Sequence, residues 1–281
     1  MSGPRQPTAP CPPPWLPAAA LVAAVASGLL VFRIGGAPAA YLPLNAGSLL
    51  LAVIAMFAMP AGRLGSRGAI GIVALGLAAI GATLVSGIDL DGVRRWLPVG
   101  PVRLHAALLL LPAMLAALPR LSDRWQLAAV TAVAAIILLQ PDFAAALALA
   151  AGYIASHGRR WREPVIAAGH GVALLCAIAS LFRADPLAPV RFVEHMVADS
   201  WVLHPGFGLL MVAALLFAIL APVLAKRFDR ASALGVAGAW GGFTAASLVG
   251  AYPTPLAGYG AAAIVGYGLA IAVLRGLPAR G

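Results

Sequence analysis

Residues 127–155 read LAAVTAVAAIILLQPDFAAALALAAGYIA, two apolar runs that are separated only by Pro141 and Asp142. If the stretch is one kinked helix, Asp142 lies near the middle of a bilayer, at a cost of about 2.5–3.5 kcal/mol unless its charge is paired or hydrated. If it is a hairpin, Asp142 lies at an interface. Because proline also lacks a backbone donor, we expect two helices joined by a turn that contains Gln140, Pro141 and Asp142.

The rest of the chain has the same apolar character. Of its 281 residues, 62% are apolar and 10% are charged, whereas a soluble domain carries about 25% charged residues. The mean hydropathy of +0.95 excludes intrinsic disorder over most of the length. Uncharged segments, most of them 18–20 residues long, recur along the chain and can each cross roughly 30 Å of hydrocarbon. There are ten candidate spans: 15–32, 40–59, 69–88, 104–118, 127–140, 143–155, 164–182, 206–225, 231–250 and 257–274.

These spans predict an all-α membrane protein with about ten transmembrane helices, since lipid offers backbone polar groups no other partner. On this layout thirteen Lys and Arg residues lie on the side of the termini and six on the opposite side. By the positive-inside rule both termini are cytoplasmic, and the turn at residues 140–142 lies near the outer face. A nine-span layout divides the basic residues twelve to seven, so the burial cost of Asp142 decides between the two layouts.

The same distribution defines the expected organisation and location of the chain. Residues 15–281 should form a single polytopic domain in a bacterial cytoplasmic (inner) membrane, preceded by a disordered Pro-rich tail at residues 1–14. The net charge of +10 is explained by basic residues in short loops between spans, so we expect the lipid bilayer and not nucleic acid as the partner. Cys11 and Cys176 fit neither a disulfide framework nor a metal site, and we expect no metal and no cofactor.

Three short blocks in and beside the outer loops carry a family resemblance. Residues 91–101 read DGVRRWLPVGP, residues 140–143 read QPDF, and residues 255–260 read PLAGYG. In this order, and at these positions relative to the spans, they resemble the SEDS family of FtsW/RodA/SpoVE-type bacterial cell-wall glycosyltransferases. The ten-span layout with both termini inside agrees with that resemblance, which covers most of the chain from about residue 80 onward.

The resemblance implies polymerisation of lipid II, the lipid-linked disaccharide of peptidoglycan, in cell division or cell-shape maintenance. A class B penicillin-binding transpeptidase is the partner that it implies. The residues that it places in the substrate cavity are Arg94, Arg95, Trp96, Gln140, Asp142 and Tyr259.

Two of these assignments have a structural alternative. A pair of guanidinium groups suits a pyrophosphate, but Arg94 and Arg95 can equally face lipid headgroups with Trp96 as an interfacial anchor. Asp142 can orient a cavity arginine or an acceptor sugar, or it can cap the helix that follows it.

Attack by a sugar hydroxyl requires a general base. The family has an aspartate in the long outer loop before the eighth span, and its best counterpart here is Asp199. Counting back from Gly206 without a gap places Glu194 or His195 at that position instead. Asp199 can also serve only as a helix cap or a solvated loop residue.

The sequence departs from the family pattern where the family has polar groups. His105-Ala106-Ala107-Leu108 replaces the polar start of the fourth helix, and Leu111 takes the place of a lysine. Alanines follow both the QPD block and the PLAGYG block. A non-catalytic scaffold or regulator is therefore an alternative, and a lipid-linked precursor transporter is another. His170 is the single titratable acid or base that we expect inside the spans, which weighs against ion-coupled transport.

Overall fold

The computed structural model describes residues 14–100, 102–183 and 185–278. Within these ranges the chain forms eleven α-helices, three β-strands and two 3₁₀ turns at Leu118–Arg120 and Gly158–Arg160. The helices are α1 (Trp15–Gly35), α2 (Tyr41–Ala58), α3 (Ser66–Ser86), α4 (Ala106–Ala117), α5 (Asp123–Leu139), α6 (Phe143–His157), α7 (Pro164–Leu181), α8 (Met196–Leu203), α9 (Pro205–Leu224), α10 (Arg230–Val249) and α11 (Ala261–Gly276). The strands are β1 (Ile88–Leu90), β2 (Val93–Val99) and β3 (Val102–His105).

Ten of the helices match the ten apolar segments, and α8 is an additional short helix in the long outer loop. Six of them, α1, α2, α3, α7, α9 and α10, are long and apolar enough to cross a membrane. The predicted helical membrane fold is therefore present, while the number of crossings and the orientation of the termini stay predictions. The predicted disordered tail lies outside the described residues except for Pro14.

The stretch at residues 127–155 is a hairpin. Helix α5 ends at Leu139 and α6 begins at Phe143. Asp123 at the start of α5 lies 2.7 Å from Arg160, which directly follows α6, so the two helices run antiparallel. The side chain of Asp142 is nevertheless fully buried instead of exposed at an interface. Protein groups rather than water surround its charge.

Contacts between the interhelical connections define two ends of the bundle. We call the end that carries the amino termini of α1, α3, α5 and α7 the inner end, and the opposite one the outer end, following the predicted orientation. At the inner end Arg275 donates to the carbonyl oxygen of Phe57 at 2.9 Å. At the outer end Asn45 donates to the carbonyl oxygen of Gly258 at 3.0 Å, which ties α2 to the segment before α11.

The outer connection at residues 87–105 corrects the all-α prediction, because it folds into a three-stranded antiparallel sheet of order β1-β2-β3. Asp91 (φ 51°) and Gly92 (φ 83°) form the first turn, and two residues with positive φ are what a tight β-hairpin requires. Alternation along β2 sends neighbouring side chains to opposite faces, so Arg95 is buried and Arg94 is exposed. The sheet pairs Trp96 with His105 across β2 and β3.

Helices α6 and α10 approach each other closely at glycines. A Cβ atom on Gly238 would lie 2.5 Å from the carbonyl oxygen of Ala151, and one on Gly242 would lie 2.6 Å from Cα of Ala148. Small residues permit backbones to pack at this distance, where van der Waals contact takes the place of the hydrophobic effect.

Candidate functional site

A cavity of about 330 Å³ opens at the outer end, between the sheet, the loop before α8 and the segment before α11. Its wall is largely apolar, with a few polar and aromatic side chains that converge on it. These are Trp96, Arg103, His105, Glu194, Thr254 and Tyr259. Such a mixture is typical of a site for a ligand with apolar and polar parts.

Arg95 lies behind this wall in a buried ion cluster. Its guanidinium Nη2 lies 2.5 Å from Oδ2 of Asp185, and Nη1 lies 3.8 Å from Oδ1 of Asp142. The same guanidinium stacks over the ring of Trp96 at 5.1 Å. Because two carboxylates already offset its charge, Arg95 braces Trp96 in the cavity wall and is not available as a free cation for a pyrophosphate.

The carboxylate of Asp142 caps a helix and also faces the ring of His105. Its Oδ1 accepts a hydrogen bond from the backbone N–H of Ala145 at 3.0 Å, which caps α6. Its Oδ2 lies 3.3 Å from Nε2 of His105, an electrostatic contact that lacks the geometry of a full hydrogen bond. Burial by itself raises the pKa of Asp142, but His105 and Arg95 outweigh burial and lower that pKa to about 2.

His105 links the buried cluster to the cavity. Its Nδ1 accepts from the backbone N–H of Leu108 at 3.3 Å and so caps α4. Its Nε2 lies on the side of Asp142. Contacts at both ring nitrogens therefore fix the orientation of the ring, whose edge lines the cavity.

The other predicted substrate-binding residues divide into two groups. Tyr259 lines the cavity and stacks on Tyr41 with ring centroids 3.6 Å apart. Arg94 is exposed, lies 2.9 Å from Asp89 and is not among the cavity residues. Gln140 is buried and donates to the carbonyl oxygen of Ile80 at 3.0 Å, so it joins α5 to α3. The structure thus places Trp96 and Tyr259 at the cavity and Arg94 and Gln140 away from it.

Of the candidate bases, Glu194 lines the cavity, whereas Asp199 lies on α8 and is not among the lining residues. Oε2 of Glu194 accepts from the backbone N–H of Val190 at 2.5 Å. A backbone bridge to Pro253 fixes Glu194 against the segment before α11. Burial raises the pKa of Glu194, a direction that suits a proton acceptor near neutral pH. The assignment of Asp199 as base stays a prediction that the cavity geometry does not favour.

Sequence reasoning missed Arg103, His105 and Asp185 as members of the site. Arg103 is exposed, lines the cavity and forms no ion pair within the part of the chain that the structure describes. The Asp91-Gly92 dipeptide signals only the hairpin of β1 and β2. Arg103 and His105 reach the site through the pairing of β3 with β2. Asp185 meets Arg95 only through tertiary folding, and no local pattern marks it.

The fold and the cavity together define a class: a multi-pass helical membrane protein with a largely apolar, charge-bearing cavity at one end of its bundle. Solved structures specify the fold further. The chain is similar to a variant of the rod shape determining protein RodA of Thermus thermophilus, with 20% identity, a TM-score of 0.67, and 93% of this chain and 95% of that chain covered. RodA of the same organism aligns with 21% identity and a TM-score of 0.63, over 93% of this chain and 95% of that chain.

A third similar chain comes from a peptidoglycan synthase complex that coordinates polymerization and crosslinking. It has 22% identity and a TM-score of 0.63, with 93% of this chain and 97% of that chain covered. No family model matches the sequence, and no curated protein matches it. The chain has the RodA fold, and the SEDS resemblance inferred from three motifs is confirmed at the level of the fold.

Proposed function

We propose that this chain is a SEDS-type peptidoglycan glycosyltransferase that binds lipid II in the outer cavity and polymerises it. The observation that carries the proposal is that a half-buried carboxylate, Glu194, and a guanidinium, Arg103, which forms no ion pair with the described residues, line the same cavity. The RodA fold supports it, and so does the predicted outward orientation of the cavity, toward the side on which the cell wall is built.

The chemistry needs a proton acceptor and a stabilised leaving group. A hydroxyl of one lipid II attacks the anomeric carbon of another, a new C–O bond forms, and the C–O bond to the pyrophosphate breaks. Glu194 accepts the hydroxyl proton, and Arg103 offsets the charge of the departing undecaprenyl pyrophosphate. Trp96 and Tyr259 provide the apolar surfaces for the sugar and lipid portions.

The buried cluster supports this site from behind. Arg95 and Asp142 are positioning residues in our proposal: the first supports Trp96 and the second orients His105. Removal of either should disturb substrate contacts without removing the proton acceptor itself.

A non-catalytic scaffold is the second candidate, and one observation favours it. Ala261, Ala262 and Ala263 line the cavity where the family motif supplies polar groups, so the wall offers few hydrogen bonds to a sugar. Both candidates accommodate a class B penicillin-binding transpeptidase as partner, since one structural neighbour belongs to a peptidoglycan synthase complex. Both also fit a role in cell division or in cell-shape maintenance.

The test is polymerisation of labelled lipid II by the purified full chain in proteoliposomes, with and without a transpeptidase partner. Glu194→Gln should reduce the rate by about 10²–10⁴, because general-base catalysis contributes that much. Asp199→Asn is the matched control and should polymerise at close to the wild-type rate. The wild-type rate should rise with pH as Glu194 loses its proton, from a pKa that burial raises above 4.5, and Glu194→Gln should lose this dependence.

The remaining outcomes separate the alternatives. Loss of activity in Asp199→Asn with full activity in Glu194→Gln would make Asp199 the base. A wild type that binds lipid II but forms no polymer, even with the partner present, would exclude the glycosyltransferase and favour the scaffold.

A further inference from the structure

A second, purely apolar concavity lies in the inner half of the bundle, between α3 and α5. Its volume is about 470 Å³. It runs alongside eight residues of each helix, from Ile70 to Leu77 and from Trp125 to Ala132, a length of about 10 Å. This covers most of the roughly 15 Å of hydrocarbon in one leaflet. We call it the α3–α5 groove.

The shape of the α3–α5 groove follows from residue size. Val73 and Ala129 are buried and form its floor. Small side chains, those of Ala74, Ala128 and Ala132, leave space above that floor between larger side chains at the rims. Ile70 and Trp125 on those rims are 53% and 69% exposed, so the groove opens sideways toward lipid and not into the bundle.

Two arginines lie beyond the inner end of the groove, on the helices that form it. Arg67 precedes Ile70 by three residues and Ala74 by seven, and Arg124 precedes Ala128 by four, so each lies on the groove-facing stripe of its helix. Both side chains are exposed. The three acidic residues of the inner end are already paired, Asp123 and Glu163 with Arg160 and Asp229 with Arg120. Neither arginine forms an ion pair with any residue of the described ranges.

We propose that the α3–α5 groove is a binding site for an anionic phospholipid, with one acyl chain along the groove and the phosphate between Arg67 and Arg124. An acyl chain fits the volume, whereas a partner helix is 10–12 Å wide and would exceed it. A partner helix would also leave the two guanidinium groups without an anion. Basic pockets between transmembrane helices on the cytoplasmic side bind anionic headgroups on the same principle. This site is independent of the outer cavity and of the proposed reaction.

The charge component is tested by native mass spectrometry of the purified full chain. The protein is titrated with phosphatidylglycerol and with phosphatidylcholine that carries identical acyl chains. One phosphatidylglycerol should bind more tightly than phosphatidylcholine. The double variant Arg67→Gln, Arg124→Gln should weaken that binding about 30-fold, because each substitution removes the attraction of a basic residue for the anionic headgroup. The control Arg159→Gln, Arg230→Gln replaces two exposed arginines that lie at the inner end but not beside the groove. It should change the binding of phosphatidylglycerol little.

The groove component is tested by filling it. Ala128→Phe should abolish tight binding of phosphatidylglycerol, and Ala168→Phe, at a similarly exposed position near the start of α7, should not. Phosphatidylglycerol brominated on its acyl chains should quench the fluorescence of Trp125, and Trp125→Phe should remove that component of the quenching.

Four results would overturn the proposal. Equal binding of the two lipids, or unchanged binding by the double arginine variant, would exclude the phosphate contact. Unchanged binding by Ala128→Phe would exclude the groove. A stoichiometric membrane-spanning protein retained by the wild type and released by Ala128→Phe would assign the groove to a helix instead of a lipid.

Discussion

At the scale of single residues, Asp142 has the most consequences for the fold. One carboxylate caps α6, faces His105 and balances part of the charge of Arg95, all while fully buried. A buried charge is tolerable only when its partners are present, so each member of this cluster depends on the others.

Asp142→Asn should therefore destabilise the folded protein by about 3 kcal/mol, because the buried charge of Arg95 would keep only Asp185 as its counterion. The wild type should also lose stability in acid. The pKa of Asp142 is lowered from 3.8 to about 2 by folding, so its contribution is complete above pH 3.8 and is lost as the pH falls toward 2. Thermal unfolding in detergent between pH 7 and pH 2 measures both effects.

Asp89→Asn is the matched control, since the exposed pair of Asp89 and Arg94 lies on the same sheet. It should leave the melting temperature close to that of the wild type. Equal losses in the two variants would contradict the role of the buried cluster.

At the scale of helices, the close approach of α6 and α10 depends on glycines, which have no side chain to keep the backbones apart. A methyl group on Gly238 meets the backbone of Ala151, which cannot rotate away as a side chain can. Gly241 lies on the same helix, three residues later, and a Cβ atom there meets nothing within 4 Å.

Gly238→Ala should destabilise the bundle by about 1–3 kcal/mol, because α6 and α10 must separate to admit the methyl group. Gly241→Ala should be neutral or stabilising, by up to about 1 kcal/mol, since alanine is the better helix former. Melting temperatures of the two variants in one detergent provide the comparison. A stabilised Gly238→Ala would show that the helices are not in close contact.

At the scale of the whole molecule, aromatic residues and charges mark the two membrane interfaces. Trp15, Trp125 and Trp161 are exposed at the inner end, as expected of an interfacial belt. Basic residues are concentrated at the same end, so the inner end should face the cytoplasm.

Single cysteines in a background without Cys11 and Cys176 test this orientation. A cysteine at Ser122, in the connection between α4 and α5, should react with a membrane-impermeant maleimide only from the cytoplasmic side. One at Ala188, in the connection before α8, should react only from outside. Labelling of Ser122→Cys from outside would invert or break the predicted topology.

Local sequence was sufficient for ten of the eleven helices in the described residues, but not for α8 or the three strands. The ten helices follow from uninterrupted apolar runs, and the break at Gln140, Pro141 and Asp142 follows from a missing donor and a charge that hydrocarbon disfavours. These are properties of neighbouring residues, so they can be read without knowing the fold. The three motifs that indicated the SEDS resemblance are also contiguous in the chain.

The composition of the site was decided by tertiary structure. Asp185 reaches Arg95 across 90 positions of sequence, and strand alternation sends Arg94 away from the residue beside it. Glu194 rather than Asp199 faces the cavity because a bridge to Pro253 holds it against the segment before α11. The sequence by itself determined the positions of the ten apolar helices and that the chain belongs in a membrane. Only the packing of distant segments decided which charges are neutralised in pairs and which face an open cavity, since that depends on distances through space.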